Sequence, residues 1–281
     1  LKKLEYSSPP GGTLANSKQI SDLSGLENCT RLKTLALRGH QISDVSPLAN
    51  LTNLQELFLS NNLIRDISVL EELTKLRVFW IYENNVRDIS VLVHLTNLYY
   101  IHIGGNDIKD ISALANLKSL TILYCWDNRI DDISPLENLN DLTDLWLQDN
   151  LISDISTLSR LTKLTDLMLH DNDISNVSPL IENTGISGSI TLKNNPLSNI
   201  ALSTHIPILI ERGIKVEYDM PEGVVLFKDT NLEKAIREAL KIPTELLKKE
   251  DLGKLEELIY EGKEDAKIAD LTGIEHCTNL T

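Results

Sequence analysis

The sequence predicts an α/β solenoid, with short parallel strands stacked along a concave face and irregular or 3₁₀ turns along the convex one. Three observations predict it. A leucine opens the same phrase at Leu32, Leu54, Leu76, Leu98, Leu120, Leu142 and Leu164, each 22 residues after the last. Each phrase alternates, as at Leu57 and Leu59 or Leu145 and Leu147, with Ile101 and Ile103 in the same places. A period of two is a short strand with one face buried. An asparagine then follows at Asn62, Asn84, Asn106, Asn128, Asn150 and Asn172, and an eighth copy, slipped by one residue, carries Ile190, Leu192 and Asn195. A fixed period of this size means stacked units, because one unit cannot bury its own apolar face and must lie against its neighbours.

The asparagine column has two readings. As a ligand row it would face solvent; as a ladder it would bond the main chains of successive turns. An amide offers both donors and acceptors to turn backbone that has no other partner, so the ladder is the expected role. The first copy has His40 in this place, so the ladder should be imperfect at that end.

The second half of each phrase reads Asp-Ile-Ser-x-Leu-x-x-Leu-Thr. Ser46, Ser134 and Ser178 precede proline, the pattern of an N-cap followed by a first-turn proline. A short helical turn of 3₁₀ type is expected there, on the convex side. Asp44, Asp66, Asp88, Asp110, Asp132 and Asp154 recur at one place. They resemble a catalytic or metal row, but aspartate in such a place is expected to form the turn.

The chain has 281 residues, a net charge of −14 and a sequence pI of about 4.9. That balance argues against nucleic acid, whose affinity rests on cationic contacts, and against an anionic membrane surface; a neutral or basic partner is favoured. No run of about 18 apolar residues exists, so no membrane insertion is expected. The three cysteines stand at aliphatic places: Cys125 where other copies have Leu59 and Leu147, Cys29 and Cys277 where they have Leu51 and Leu95. They read as small buried hydrophobes. No nucleophile constellation appears: His102 and His170 have acids across the strands but no activated serine or cysteine. No enzyme activity and no cofactor are expected. A metal site from Asp127, Asp149 or Asp131 is the weaker reading of those acids.

In chain order, residues 1–31 form a truncated N-terminal cap and degenerate repeat, with a Pro/Gly/Ser-rich insertion from Ser7 to Lys18. Residues 32–198 are the array of about eight repeats, ending after the irregular stretch Asn183-Thr-Gly-Ile-Ser-Gly. Residues 199–220 are a C-terminal cap, with a helix over Ile200–Arg212, a stop at Gly213 and a closing strand at Ile214–Tyr218. Residues 221–281 are a helical, cap-like start of a further module. Thr230 and Glu233 read as a capping box opening an amphipathic helix to about Lys241, and Thr244 to Glu250 suggests a second short helix. Leu255-Glu-Glu-Leu-Ile-Tyr260 matches Leu1-Lys-Lys-Leu-Glu-Tyr6, and Ile268 to Leu280 matches Ile20 to Leu32. The chain therefore restates its beginning at its end, and it reads as a fragment or processed product.

The LxxLxLxxNxI phrase is the leucine-rich repeat signature. With the Asp-Ile-Ser-Pro-Leu-x-x-Leu-Thr-x-Leu half, at 22 residues per repeat, it resembles the internalin-like bacterial leucine-rich repeat proteins. The segment 230–250 followed by a degenerate repeat resembles that family's helical cap, which precedes the array there and follows it here. The resemblance implies a leucine-rich repeat solenoid, extracellular or cell-surface binding of proteins, and no catalysis.

Residues flanking the buried Leu-x-Leu point outward. The central outward column reads Ala36, Phe58, Trp80, His102, Tyr124, Trp146, Met168 and Thr191; the next reads Arg38, Ser60, Tyr82, Gly104, Trp126, Gln148, His170 and Lys193; the preceding one includes Tyr100. Aromatic residues are 5% of the chain, yet all three tryptophans fall on this face. Strand faces tolerate aromatics for cross-strand packing, but exposed Trp and Tyr clusters also make binding hot spots. The expectation is a site for a protein or peptide ligand made by Phe58, Trp80, Tyr82, Tyr100, His102, Tyr124, Trp126, Trp146, Met168 and His170. Glu83, Asp127, Asp149 and Asp171 would rim it. Two alternatives stay open: a structural head-to-tail or tandem surface array using self-association through residues 222–281, and a glycan-binding module.

Overall fold

The computed structural model describes residues 2–6, 19–243, 245–260 and 267–281. The insertion from Ser7 to Lys18 and position Thr244 lie outside them, as does Leu1.

Each copy folds its Leu-x-Leu into a three-residue strand. The strands are β1 (Lys3–Glu5), β2 (Thr34–Ala36), β3 (Glu56–Phe58), β4 (Val78–Trp80), β5 (Tyr100–His102), β6 (Ile122–Tyr124), β7 (Asp144–Trp146), β8 (Asp166–Met168), β9 (Ser189–Thr191) and β10 (Lys215–Glu217). They pair in chain order as one parallel sheet. From β2 to β8 each residue pairs with the one a full repeat away: Leu57 with Phe79, Phe79 with Ile101, Ile101 with Leu123. Identical phase in every copy stacks the inward leucines into one continuous core. Short 3₁₀ turns such as Ser46–Leu48, Ser68–Leu70 and Ser134–Leu136 form the second half of each repeat.

The asparagines form the expected ladder. Asn150 accepts from Ile130 N–H through Oδ1 at 2.9 Å, and its Nδ2 donates to the carbonyls of Cys125 and Leu147, both at 3.1 Å. Asn62, Asn84, Asn106, Asn128, Asn172 and Asn195 repeat the pattern. At the first copy His40 Nε2 meets the carbonyl of Tyr6 at 3.1 Å, and its Nδ1 is buried without a partner.

The aspartate column forms turns, and the serines do not cap. Asp44, Asp66, Asp88, Asp110, Asp132 and Asp154 each accept from the backbone N–H of the serine two residues on, at 2.7–2.8 Å. A carboxylate placed just outside the turn takes the role expected of Ser46 and Ser134, which become the first turn residues with proline second.

The irregular stretch before β9 inserts one residue, so Asp166 pairs with Ser189. Asn183, fully buried, holds the detour: its Nδ2 donates to Leu158 and Leu161 carbonyls while Oδ1 accepts from Gly185 and Ile186. Gly188 is left-handed at φ 77°, and a Cβ there would lie 2.0 Å from the carbonyl oxygen of Thr165. Only glycine fits.

α1 (Ser178–Glu182) lies between β8 and β9, and after the array the helix ending in α2 (Ile206–Glu211) precedes β10. The turn Ala201–His205 is widened to π geometry just before Pro207, which has no N–H to donate and would crowd the carbonyl four residues back. Residues 225–280 gather a second small core around Phe227, Leu232, Ile236, Leu247 and Leu252. There α3 (Thr230–Leu240) is capped by Asp229, one residue earlier than the capping box predicts: its Oδ1 accepts from Asn231 and Leu232 N–H, and its Oδ2 accepts from Ala269 and Asp270 N–H. Glu233 instead reaches Arg237 and Asn199. The second helix, α4 (Lys249–Leu252), starts later than Thr244.

The restated segments share one turn conformation. Gly25 and Gly273 sit at φ 98° and 102°, each heading a 3₁₀ turn, and each N–H donates to the glutamate two residues on. Leu255–Tyr260 is not a strand, unlike its counterpart β1, because no second strand pairs with it.

Candidate binding face

The outward columns of β3 to β7 bring most of the expected residues into contact. Along the centre, Phe58 meets Trp80 edge-on with ring centroids 4.9 Å apart, Trp80 meets Tyr100 at 5.2 Å, and Tyr100 meets Tyr124 at 5.4 Å. Tyr124 and Trp146 stack at 3.9 Å with 16° between planes. A second row joins it: Tyr82 stacks on His102 at 4.3 Å, and Trp126 lies 5.8 Å from His102. Met168 and His170 belong to the same face but make none of these ring contacts; His170 Nδ1 pairs with Thr191 Oγ1 at 2.7 Å.

The rings are half-buried rather than exposed, which corrects the sequence expectation. They cover one another and the small residues between them, so that Ala36, Ser60 and Val78 on the outward face are buried. Cross-strand aromatic packing of this kind is itself stabilising.

Among the described residues no acid hydrogen-bonds or ion-pairs with His102, contrary to expectation. Trp126 Nε1–H donates to its Nε2 at 2.9 Å. Burial among rings pulls its pKa down to about 4. Trp126 reaches that far because it lies flat over Gly104, where a Cβ would stand 2.5 Å from the indole ring. Burial, followed by the fields of Tyr124 and Asp144, pushes the Tyr100 phenol well above its ordinary value.

Charge is distributed unevenly. Arg38 lies over the rings of Phe58 and Trp80, at 5.7 and 5.6 Å. At the other end Asp166 accepts from Trp146 Nε1–H at 2.9 Å and from Ser189 Oγ at 3.0 Å, while Asp144 accepts from Thr143 Oγ1. The rim acids Glu83, Asp127, Asp149 and Asp171 all sit in left-handed backbone, φ 52°, 48°, 57° and 56°. Their place in the turn selects for Asn, Asp and Gly, a structural reason that sequence reading missed. Asp149 is raised above its usual pKa, first by burial and then by Asp171, against the lowering effect of His170. Among the described residues Asp149, His170 and Asp171 bring one ligand atom each within 4.8 Å of one another; Asp131, by contrast, pairs with Lys109 at 2.8 Å. Cys125 is fully buried and its thiol pKa is pushed up by that burial, so it offers no nucleophile. Among the described residues no helix is long and apolar enough to cross a membrane.

A family model described as Leucine Rich repeats (2 copies) matches residues 52–97, 96–138 and 118–159. An internalin C2 (inlC2) from Listeria monocytogenes is similar at 36% identity and TM-score 0.60, over 62% of this chain and 76% of that one. This chain belongs to the internalin-like leucine-rich repeat proteins. An internalin (inlF) from the same organism matches at 36% identity and TM-score 0.67, over 72% of this chain. The match spans 60% of the inlF chain. Outside bacteria, the leucine-rich repeat ectodomain of the plant membrane receptor kinase GASSHO1/SCHENGEN3 from Arabidopsis thaliana, solved in complex with CASPARIAN STRIP INTEGRITY FACTOR 2, matches at 27% identity and TM-score 0.55, over 62% of this chain and 23% of that one. No curated protein sequence matches. Within this internalin-like array the aromatic rings belong to consecutive repeats, so the face is a property of the stack and of no single copy.

Proposed function

We propose that this internalin-like chain is a non-catalytic recognition module, working outside the cell or at its surface, that grips a protein or peptide segment on its concave aromatic band. The observation that carries the reading is the unbroken run of ring contacts from Phe58 through Trp80, Tyr100 and Tyr124 to Trp146. Such a run gives a partner a wide, pre-organised apolar surface with little side-chain entropy left to lose. Leucine-rich repeat relatives with a bound ligand support the class of function. The test is partner binding by Trp80→Ala, Tyr124→Ala and Trp146→Ala, with a convex-side change, Arg65→Ala, beside them. Loss of about 2 kcal/mol or more at the aromatic positions is expected, as for hot spots; unchanged binding in all three would refute the band.

A second reading has one observation behind it. Thr281 N–H donates to the carbonyl of Glu256 at 3.2 Å, as Lys33 N–H donates to that of Lys2 at 2.9 Å. The first ladder bond of a repeat is thus formed on the 255–260 segment, which favours residues 221–281 as the start of another array, in tandem or in trans. Light scattering across concentration tests the trans form: oligomers that disappear on deleting 221–281 would support it, and a concentration-independent monomer would count against it.

A further inference from the structure

The two ends of the aromatic band differ in chemistry. The β2–β4 end offers a donor: the Arg38 guanidinium, lying over the Phe58 and Trp80 rings with no ion-pair partner among the described residues. The β7–β8 end offers acceptors. Asp144 and Asp166 stand in the column beside Trp146, and both accept only from neutral donors. Asp144 and Asp166 stand directly opposite one another on adjacent strands, a like-charge placement that a cation between them would relieve. Their field reaches the aromatic plate: the Tyr124 phenol is raised first by burial, then by Asp144 and Asp166. The plate itself, Tyr124 on Trp146 at 3.9 Å, presents π surface next to those carboxylates. Planar π faces flanked by anions bind flat organic cations, because ring quadrupole and carboxylate charge act in the same direction.

We infer that the partner places a cationic side chain, arginine above lysine, on the Tyr124–Trp146 plate between Asp144 and Asp166. The inference rests on the concave-band reading and makes it directional. Arg38 repels a second cation at the far end. Five strand spacings separate β2 from β7, roughly 24 Å, so the basic residue and an acidic or carbonyl group facing Arg38 stand about seven extended residues apart in the partner. The net charge of −14 favours the same kind of partner at long range.

The test is a titration of the full chain with N-acetyl-arginine amide, followed by the three indole N–H signals in NMR spectra, with N-acetyl-citrulline amide as the neutral isostere. The Trp146 signal is assigned from Trp146→Phe. A saturable shift of the Trp146 signal is expected, at least tenfold weaker for citrulline and at least tenfold weaker for the isosteric Asp144→Asn/Asp166→Asn protein. That protein is checked for an unchanged melting curve, and Asp144→Asn alone serves if it is not. No saturable shift, or equal response to citrulline, overturns the inference. Peptides selected by display on the wild-type protein separate it from the parent reading. Basic residues should be enriched, and the enrichment should vanish on the double variant. Selected peptides that need Trp80 but carry no basic excess would overturn the cation site and leave the band standing.

Discussion

The indole N–H of Trp126 donates to Nε2 of His102 at 2.9 Å. An indole nitrogen can only donate, so His102 carries its proton on Nδ1 and is neutral in the folded chain. Its folded pKa, pulled down to about 4 by burial, lies below the unfolded value of 6.5. The unfolded chain therefore binds more protons between those values. The contribution is full above about pH 6.5 and is lost as pH falls toward 4, with a limiting slope of about 1.4 kcal/mol per pH unit. Denaturant unfolding of wild type and His102→Gln at pH 7 and pH 5 checks it. The wild type should lose more stability between the two; parallel losses would show that His102 is not the titrating group.

Gly104 sets that contact. A Cβ would meet the Trp126 ring at 2.5 Å. The expected result of Gly104→Ala is an indole turned off the face, a broken bond to His102 and a His102 pKa that rises toward its ordinary value. Histidine titration by NMR reads the shift directly. A variant that keeps the low pKa would mean that burial by Tyr82 and Tyr124 suffices without Trp126.

The sequence made the solenoid legible because each copy repeats the same evidence: the inward Leu57, Leu145 and Ile101 columns, the Asn150 ladder and the turn-forming Asp66 column all follow from spacing alone. The direction of a cap was less legible. Ser46 and Thr230 are good cap residues by type, but Asp44 and Asp229 stand within reach with a charged acceptor and win the N–H groups. The face was legible as a set of columns and illegible as a surface. Whether Trp80 stands up or lies against Tyr100 depends on side-chain torsions that spacing does not encode, so its rings turned out half-buried. The stacking of Tyr124 on Trp146 and the bond to His102 were hidden for the same reason. Leu255–Tyr260 shows a further limit: a strand pattern makes a strand only where another strand is present to bond it.

Asp149 is a carboxylate that the fold tolerates poorly. It sits at φ 57° between Asp127 and Asp171 in the stack, and burial and the neighbouring carboxylate raise its pKa. A raised carboxylate destabilises the folded chain when ionised, so the cost is present at neutral pH and disappears as pH falls through the folded pKa. Asn61 and Asn194 occupy the same backbone place in other copies, also left-handed. Asp149→Asn should therefore raise the melting temperature at pH 7 and lose that advantage in acid. A lower melting temperature at pH 7 would mean that the carboxylate is bound to something that stabilises it.

The asparagine ladder makes a sharper demand than burial does. Asn150 uses its Oδ1 for Ile130 N–H and its Nδ2 for the carbonyls of Cys125, Leu147 and Gln148. Asn150→Ala strands those backbone groups away from water and should cost roughly 1–3 kcal/mol. Asn150→Asp has almost the same shape and keeps the acceptor for Ile130. It replaces the amide donor, however, with an oxygen facing three carbonyl oxygens, which only protonation could turn back into a donor. The aspartate is therefore expected to be at least as destabilising as the alanine at pH 7 and to recover part of the loss in acid. Urea midpoints of both variants at pH 7 and pH 4 decide the matter. An aspartate milder than alanine at neutral pH would mean that shape, and not the donated hydrogen bonds, holds successive turns together.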